Sequence, residues 1–204
     1  MKTDRYYSFW YHLLWLIFFP FHPVRAVGRE NIPNTGAVIC PNHSAATDPF
    51  YVCFACTCRH RMFPMAKIEA KKIPVLGKLL EWGSVIFVDR DTADVHAVKS
   101  ALQVLKEGKK LLIFPQGTRV KNGVDKHGNP VTAKSGAALF ATRTGTPLIP
   151  VYIPEKRRWF RFNTVVVGQP YYPQIAGRKA TSEELEQITG ELMDRIYALG
   201  EGQA

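Results

Sequence analysis

The sequence predicts an α/β fold: a mixed, mostly parallel sheet with helices on both faces, preceded by a hydrophobic N-terminal helix. Three observations carry this expectation. Short apolar, β-prone runs alternate with helical patterns through the middle of the chain. Two of those runs, "AVIC" at 37–40 and "KLLIFPQ" at 110–116, are nearly continuous in apolar character, as strands covered on both faces are. An aromatic run, "YYSFWYHLLWLIFFPF" from Tyr6 to Phe21, precedes them all.

That first run holds about 14 residues before Pro20, short of the roughly 20 that a spanning helix needs. It lacks a convincing small-residue cleavage site, so it reads poorly as a signal peptide. Tyr6, Tyr7, Trp10, Tyr11 and Trp15 are of the types that favour the headgroup level of a bilayer. Lys2 and Arg5 precede the run, and His22 and Arg25 follow it. The expectation is a helix lying in, or dipping into, one leaflet, with a buried core helix as the plain alternative. The chain then divides into a membrane-associating segment, 1–24, and one domain, 25–204.

The elements of the domain follow in order. "AVIC" is a strand and "PNHSAAT" a loop. Asp48 before Pro49 marks a helix start, Asp as N-cap and Pro at the first helical position, and the helix runs through "FYVCFACTC". "MFPMAKIEA" returns toward the sheet, "KKIPVLGKLLEWG" is a short interrupted helix, and "SVIFVDR" at 84–90 is a strand. Asp91 or Thr92 caps a helix on which Val95, Val98, Leu102 and Leu105 recur at helical spacing, ended by Gly108. After "KLLIFPQ" comes a loop with turn signals at Asn122-Gly123 and His127-Gly128-Asn129-Pro130. "KSGAALFATRTG" is a helix, and "PLIPVYI" and "FNTVVVGQP" are strands. Thr181-Ser182-Glu183-Glu184 is a capping-box signature opening a last helix with Leu185, Ile188, Leu192, Ile196 and Leu199 on one face.

Composition narrows the function. At 204 residues with a formal net charge of +10, the chain favours an anionic partner: nucleic acid, an anionic membrane or a phosphorylated substrate. The aromatic N-terminus tilts that choice toward lipid. Of the four cysteines, Cys53, Cys56 and Cys58 crowd into "CFACTC" with His60 just beyond. A metal or redox site is one reading, and small apolar residues on a buried helix is the other. No second cluster supplies further ligands, so no metal is expected. Nothing demands disulfides, which favours a reducing compartment. Neither a Walker loop nor a dinucleotide fingerprint occurs.

In open α/β sheets, ligands collect at the carboxyl ends of strands. Three loops leave such ends with chemistry on them: His43 to Asp48, Asp89-Arg90, and Gln116 to Arg119. Histidine is the usual base for a hydroxyl nucleophile, and a carboxylate on its other ring nitrogen fixes the tautomer. Asp48 also has a sufficient explanation as a helix cap. Gly117 allows close backbone approach, Thr118 offers a hydroxyl, and the Arg119 fork suits phosphate. A tight turn with a solvated Arg is the plain alternative, as is a surface pair for Asp89 and Arg90. "KRRWFRF", 156–162, alternates cations with aromatics; it could seat on anionic headgroups or protect a hairpin edge.

"NHSAATDP", "GSVIFVDR", "IFPQGTR" and "PLIPVYI", in this order, resemble the four-block pattern of the glycerolipid acyltransferase family. "MAKIEAKKIPVLGKLLEWG", "KSGAALFA" and "FNTVVVGQP" are similar to that family too, so the resemblance covers roughly residues 25 to 199. It implies acyl transfer from a thioester, acyl-CoA or acyl-carrier protein, to the free hydroxyl of a lysophospholipid, typically 1-acyl-glycerol-3-phosphate. His43 would take the hydroxyl proton and Asp48 would hold His43. Acceptor-phosphate binding carries over to Arg90, Gln116, Gly117, Thr118 and Arg119, with Lys67 and Lys134 as further basic positions. No cofactor or metal is implied. The enzyme would be membrane-associated and face the cytoplasm, with no nucleic acid as partner.

Two departures bear on the acceptor. The third block usually reads Glu-Gly-Thr-Arg, and here its first position is Gln116. A Ser is common two residues after the His, where this chain has Ala45, with Ser44 one earlier. Glycerol-3-phosphate, another lysophospholipid or a lyso-aminolipid therefore stay open as acceptors. A membrane scaffold without activity and a basic nucleic-acid binder are the readings from other classes.

Overall fold

The computed structural model describes residues 2–57, 59–73, 76–89, 94–121 and 123–201. Seven strands form one sheet in the order β1-β7-β6-β2-β5-β3-β4. They are β1 (Val24–Val27), β2 (Ala37–Pro41), β3 (Met62–Lys67), β4 (Ile86–Val88), β5 (Lys110–Leu112), β6 (Leu148–Tyr152) and β7 (Asn163–Val167). Every neighbouring pair is parallel except β6 and β7, so β1 and β7 run against the other strands. The loops after β6, β2, β5, β3 and β4 therefore leave the same edge of the sheet.

Helices cover both faces, because successive strand residues point to opposite sides. Ile39 packs with Tyr51, Val52 and Ala55 of α2 (Asp48–Cys56). Its neighbours Val38 and Cys40 pack on the other side with α4 (Val95–Lys106), α5 (Gly136–Thr144) and α6 (Ser182–Glu201), through Ala101, Ala138 and Leu192 among others. All five residues of β2 are buried, as its unbroken apolar run predicts for a central strand. α1 (Lys2–Phe18) lies over α2: the Phe18 ring sits 5.4 Å from Phe50 and 5.6 Å from Phe54, and Tyr11 sits 5.6 Å from Phe54. A short α3 (Leu76–Trp82) precedes β4.

Several local expectations are revised. Asp48 is not the N-cap of α2: Thr47 occupies that position, and Asp48 opens the helix with its side chain turned back toward the preceding loop. The cap of α4 is Asp94, which accepts from the Ala97 amide at 2.9 Å, whereas Asp91 and Thr92 lie outside the described residues. β1 was not foreseen. Its four residues alternate between half-buried and exposed, so no apolar run announces them, and pairing with β7 supplies the order. Gly28 follows it with φ +76°, and a Cβ there would stand 2.1 Å from the Val167 carbonyl oxygen.

The capping box of α6 forms as the sequence indicates. The Glu184 amide donates to Thr181 Oγ1 at 3.2 Å, and the Thr181 amide donates to Glu184 Oε2 at 2.8 Å. Thr181→Ala is expected to lower stability by about 1 kcal/mol, measured as a shift of the urea midpoint with an unchanged slope.

Candidate active site

The site begins with Asn42, at the end of β2. Its side chain continues the ladder between β2 and β6: Nδ2 donates to the Ile153 carbonyl at 2.9 Å, and Oδ1 accepts from the Ile153 amide at 2.7 Å. A buried amide so completely paired holds the chain rigid up to residue 42. His43 follows directly. Its backbone carbonyl accepts from the Val120 amide at 2.8 Å and its amide donates to Gln116 Oε1 at 2.6 Å. Two bonds from the loop after β5 thus fix the backbone of the histidine. The imidazole lies against Phe114, ring centroids 4.2 Å apart, and is 18% exposed.

Asp48 is fully buried and carries an unusual load of donors. Its Oδ2 accepts from His43 Nδ1 at 2.9 Å, from the Ser44 amide at 2.6 Å and from the Ala45 amide at 2.9 Å. Oδ1 accepts from Arg157 Nη2. Because Oδ2 is an acceptor, the imidazole proton belongs on Nδ1, which leaves Nε2 with a lone pair. Such an imidazole can take a proton from a hydroxyl brought against Nε2.

The block after β5 separates into inward and outward residues. Gly117 has φ +68° and its amide closes a turn onto the Phe114 carbonyl at 3.0 Å, a conformation that favours glycine. Thr118 and Arg119 are exposed on the far side of that turn. Gln116 is buried instead, and both ends of its amide are used: Oε1 on His43, and Nε2 donating to the Tyr197 hydroxyl of α6 at 2.9 Å. Lys134 is exposed, with its amide donating to the Pro115 carbonyl at 2.7 Å, beside the same turn. Lys67, at the end of β3, is exposed as well. Arg90 lies outside the described residues, as does Cys58.

The other cysteines behave as apolar residues. Cys53 and Cys56 are free, and burial pushes the Cys53 thiol up to about 12 and that of Cys56 still higher. Among the described residues no group of His, Cys, Asp and Glu could hold a metal.

Sequence reasoning missed Arg157 and Tyr197 altogether. Arg157 was one cation among several in "KRRWFRF"; its distinguishing signal is that it follows β6, the strand beside β2. Tyr197 reads as one exposed aromatic on an amphipathic helix and is still 40% exposed. Beside the site, α1, α2, β3 and the segment entering β4 enclose an apolar cavity of about 280 Å³, lined by Tyr11, Leu14, Phe50, Cys53 and Val85. Ala46 and Pro49, on either side of Asp48, also line it.

A histidine base held by a buried carboxylate at the carboxyl ends of parallel strands, next to an apolar cavity, suits acyl transfer to a hydroxyl. Residues 23–154, more than half of the chain, match the Acyltransferase family, and the chain belongs to it. It is 32% identical over 179 residues to the 1-acyl-sn-glycerol-3-phosphate acyltransferase of Borreliella burgdorferi, covering 83% of this chain and 68% of that one. The enzyme of the same name from Bacillus subtilis is 26% identical over 182 residues, which are 86% of this chain and 87% of its own length. The fold is similar to the crystal structure of the 1-acyl-sn-glycerophosphate (LPA) acyltransferase PlsC from Thermotoga maritima. The TM-score is 0.64 at 22% identity, over 100% of this chain and 79% of that one.

The bracket behind His43 has a measurable cost of removal. Gln116→Leu strips a partner from the His43 amide and is expected to lower stability by roughly 1–3 kcal/mol in urea unfolding. Tyr197→Phe removes only the outer bond and is expected to cost about 1 kcal/mol.

Proposed function

We propose that the protein acylates 1-acyl-glycerol-3-phosphate, using acyl-CoA or acyl-carrier protein as donor, and so forms phosphatidic acid for phospholipid synthesis. The observation that carries this reading is the His43–Asp48 pair at the sheet edge, in a family of acyltransferases and with relatives named for that reaction.

The acceptor hydroxyl gives its proton to His43 Nε2 as its oxygen attacks the thioester carbonyl carbon. Asp48 stabilises the imidazolium that forms. The tetrahedral intermediate collapses with cleavage of the C–S bond, and the proton on His43 passes to the departing thiolate. A new ester and a free thiol result, with no covalent acyl-enzyme and no cofactor. Arg119 and Thr118, exposed beyond the Gly117 turn, with the Gly117 backbone, receive the acceptor phosphate; Lys67 and Lys134 add positive charge around it. Gln116 serves this site from behind, by holding the His43 amide. An acyl chain fits the apolar cavity that begins at Ala46 and Pro49.

Both substrates are amphiphiles, so the enzyme works at a membrane surface. Phe9, Leu16 and Ile17 are 60, 64 and 59% exposed on α1. Trp159, Phe160 and Phe162, 64, 68 and 63% exposed, form the loop before β7. The two sets adjoin: the Phe160 amide donates to the Phe21 carbonyl at 2.8 Å, and the Phe19 and Phe162 rings stand 6.4 Å apart. Arg158 and Arg161 lie exposed within the same loop. Aromatics and cations together, next to the site, suit an anionic bilayer facing the cytoplasm. Among the described residues no helix is long and apolar enough to cross a membrane.

Purified protein with lysophosphatidic acid and acyl-CoA, then acyl-carrier protein, is expected to yield phosphatidic acid; no product with either donor refutes the assignment. His43→Ala is expected to reduce turnover by about 10²–10⁴-fold with the fold intact by circular dichroism. Arg119→Ala should chiefly raise the acceptor KM. Leu16→Glu and Trp159→Glu are each expected to weaken binding to anionic vesicles by about tenfold or more, read by co-sedimentation.

A further inference from the structure

We propose that Arg157 is a positioning residue of the acyl-transfer centre, delivered by the aromatic loop that follows β6. The inference rests on the roles given above to His43 and Asp48.

Lys156 and Arg158 are exposed, yet the Arg157 side chain between them is only 11% exposed. Its guanidinium turns inward and spans the two ends of the His43 loop. Nη2 donates to Asp48 Oδ1, and Nη1 donates to Ser44 Oγ at 2.9 Å and to the Glu155 carbonyl at 2.8 Å. The fork lies over the Tyr51 ring, 5.5 Å from its centroid, and Tyr51 in turn bonds His22 at 3.0 Å. Arg157 Nε is buried and has no hydrogen-bond partner among the described residues.

The consequence falls on Asp48. Its Oδ2 already holds three N–H donors, so only Oδ1 is open to a counter-charge. Arg157 supplies that charge and fixes the plane of the carboxylate. The plane decides whether Oδ2 points at His43 Nδ1, and hence whether Nε2 faces the acceptor hydroxyl. Arg157 is distinct in this from Arg119, whose exposed fork is open to a ligand: the Arg157 fork is already committed to protein acceptors. The same loop exposes Trp159, Phe160 and Phe162, so the segment proposed to touch the bilayer also holds the catalytic carboxylate.

The test compares full-length wild type with Arg157→Gln, Arg157→Lys, Asp48→Asn and the Asp48→Asn/Arg157→Gln pair. Arg157→Gln is expected to lower kcat on the order of 10²-fold while the acceptor KM changes little. Arg157→Lys keeps the charge without the fork and should recover part of the loss; it replaces the Gln variant if that one does not fold. The double variant should be no slower than Asp48→Asn alone, because both changes act on one arrangement. Independently of turnover, the His43 Nδ1 proton resonance of the wild type in detergent micelles should be lost or broadened in Arg157→Gln. Wild-type kcat with an unchanged resonance overturns the proposal, as do deficits that multiply in the double variant. So does a raised acceptor KM at intact kcat, which would make Arg157 a substrate ligand. If the wild type transfers no acyl group, the proposed function fails, and the imidazole resonance still decides the role of Arg157.

Discussion

The arrangement turns on one buried carboxylate. Asp48 has no exposure to water, and an isolated charge in that position would be prohibitive. It is tolerated because two backbone amides, an imidazole and a guanidinium converge on it. Each donor comes at a structural cost elsewhere. The Ser44 and Ala45 amides require the loop after β2 to double back over the start of α2. The imidazole requires His43 to be gripped by its backbone. The guanidinium requires the loop after β6, the neighbouring strand but more than a hundred residues away in sequence, to fold over the sheet edge.

That requirement explains the division of labour among the blocks around the site. The loop after β5 supplies a brace on its inner side, Gln116 and Val120, and polar groups on its outer side, Thr118 and Arg119. Gln116 is the pivot, linking the His43 backbone to Tyr197 on α6. A neutral amide suits this position, since one end must accept and the other donates. The position is therefore tied to the carrier of the histidine rather than to the space where an acceptor phosphate is expected.

The periphery follows the same logic. α1 covers α2 with aromatic rings and leaves an apolar outer face, while the loop before β7 is bound through the Phe160 amide to Phe21, in the link between α1 and β1. From Tyr11 to Phe18, α1 is thus packed against α2 rather than trailing from it. The helix packs one face on α2, as the core-helix reading of the N-terminal run has it, and leaves Phe9, Leu16 and Ile17 exposed. The "KRRWFRF" segment also divides, with Arg157 turned in and Trp159 to Phe162 turned out.

Local physics made most of the fold legible. The continuous apolar runs of β2 and β5, Val98, Leu102 and Leu105 of the α4 stripe (Val95 is exposed) and the capping box of α6 were readable because each depends on neighbours within a few residues. β1 was hidden because its order comes from β7, far along the chain. His43, Asp48 and the Gly117 turn were visible as types at suggestive spacings, and family resemblance joined them. What the sequence by itself determined was therefore the chemistry available and the strand ends that present it. Only the tertiary structure decided that Asp48 opens α2 rather than caps it, that Gln116 faces inward, and that Arg157 completes the carboxylate. Those outcomes depend on which strands lie side by side, and parallel neighbours such as β2, β5 and β6 are brought together by long crossovers whose endpoints no local pattern records.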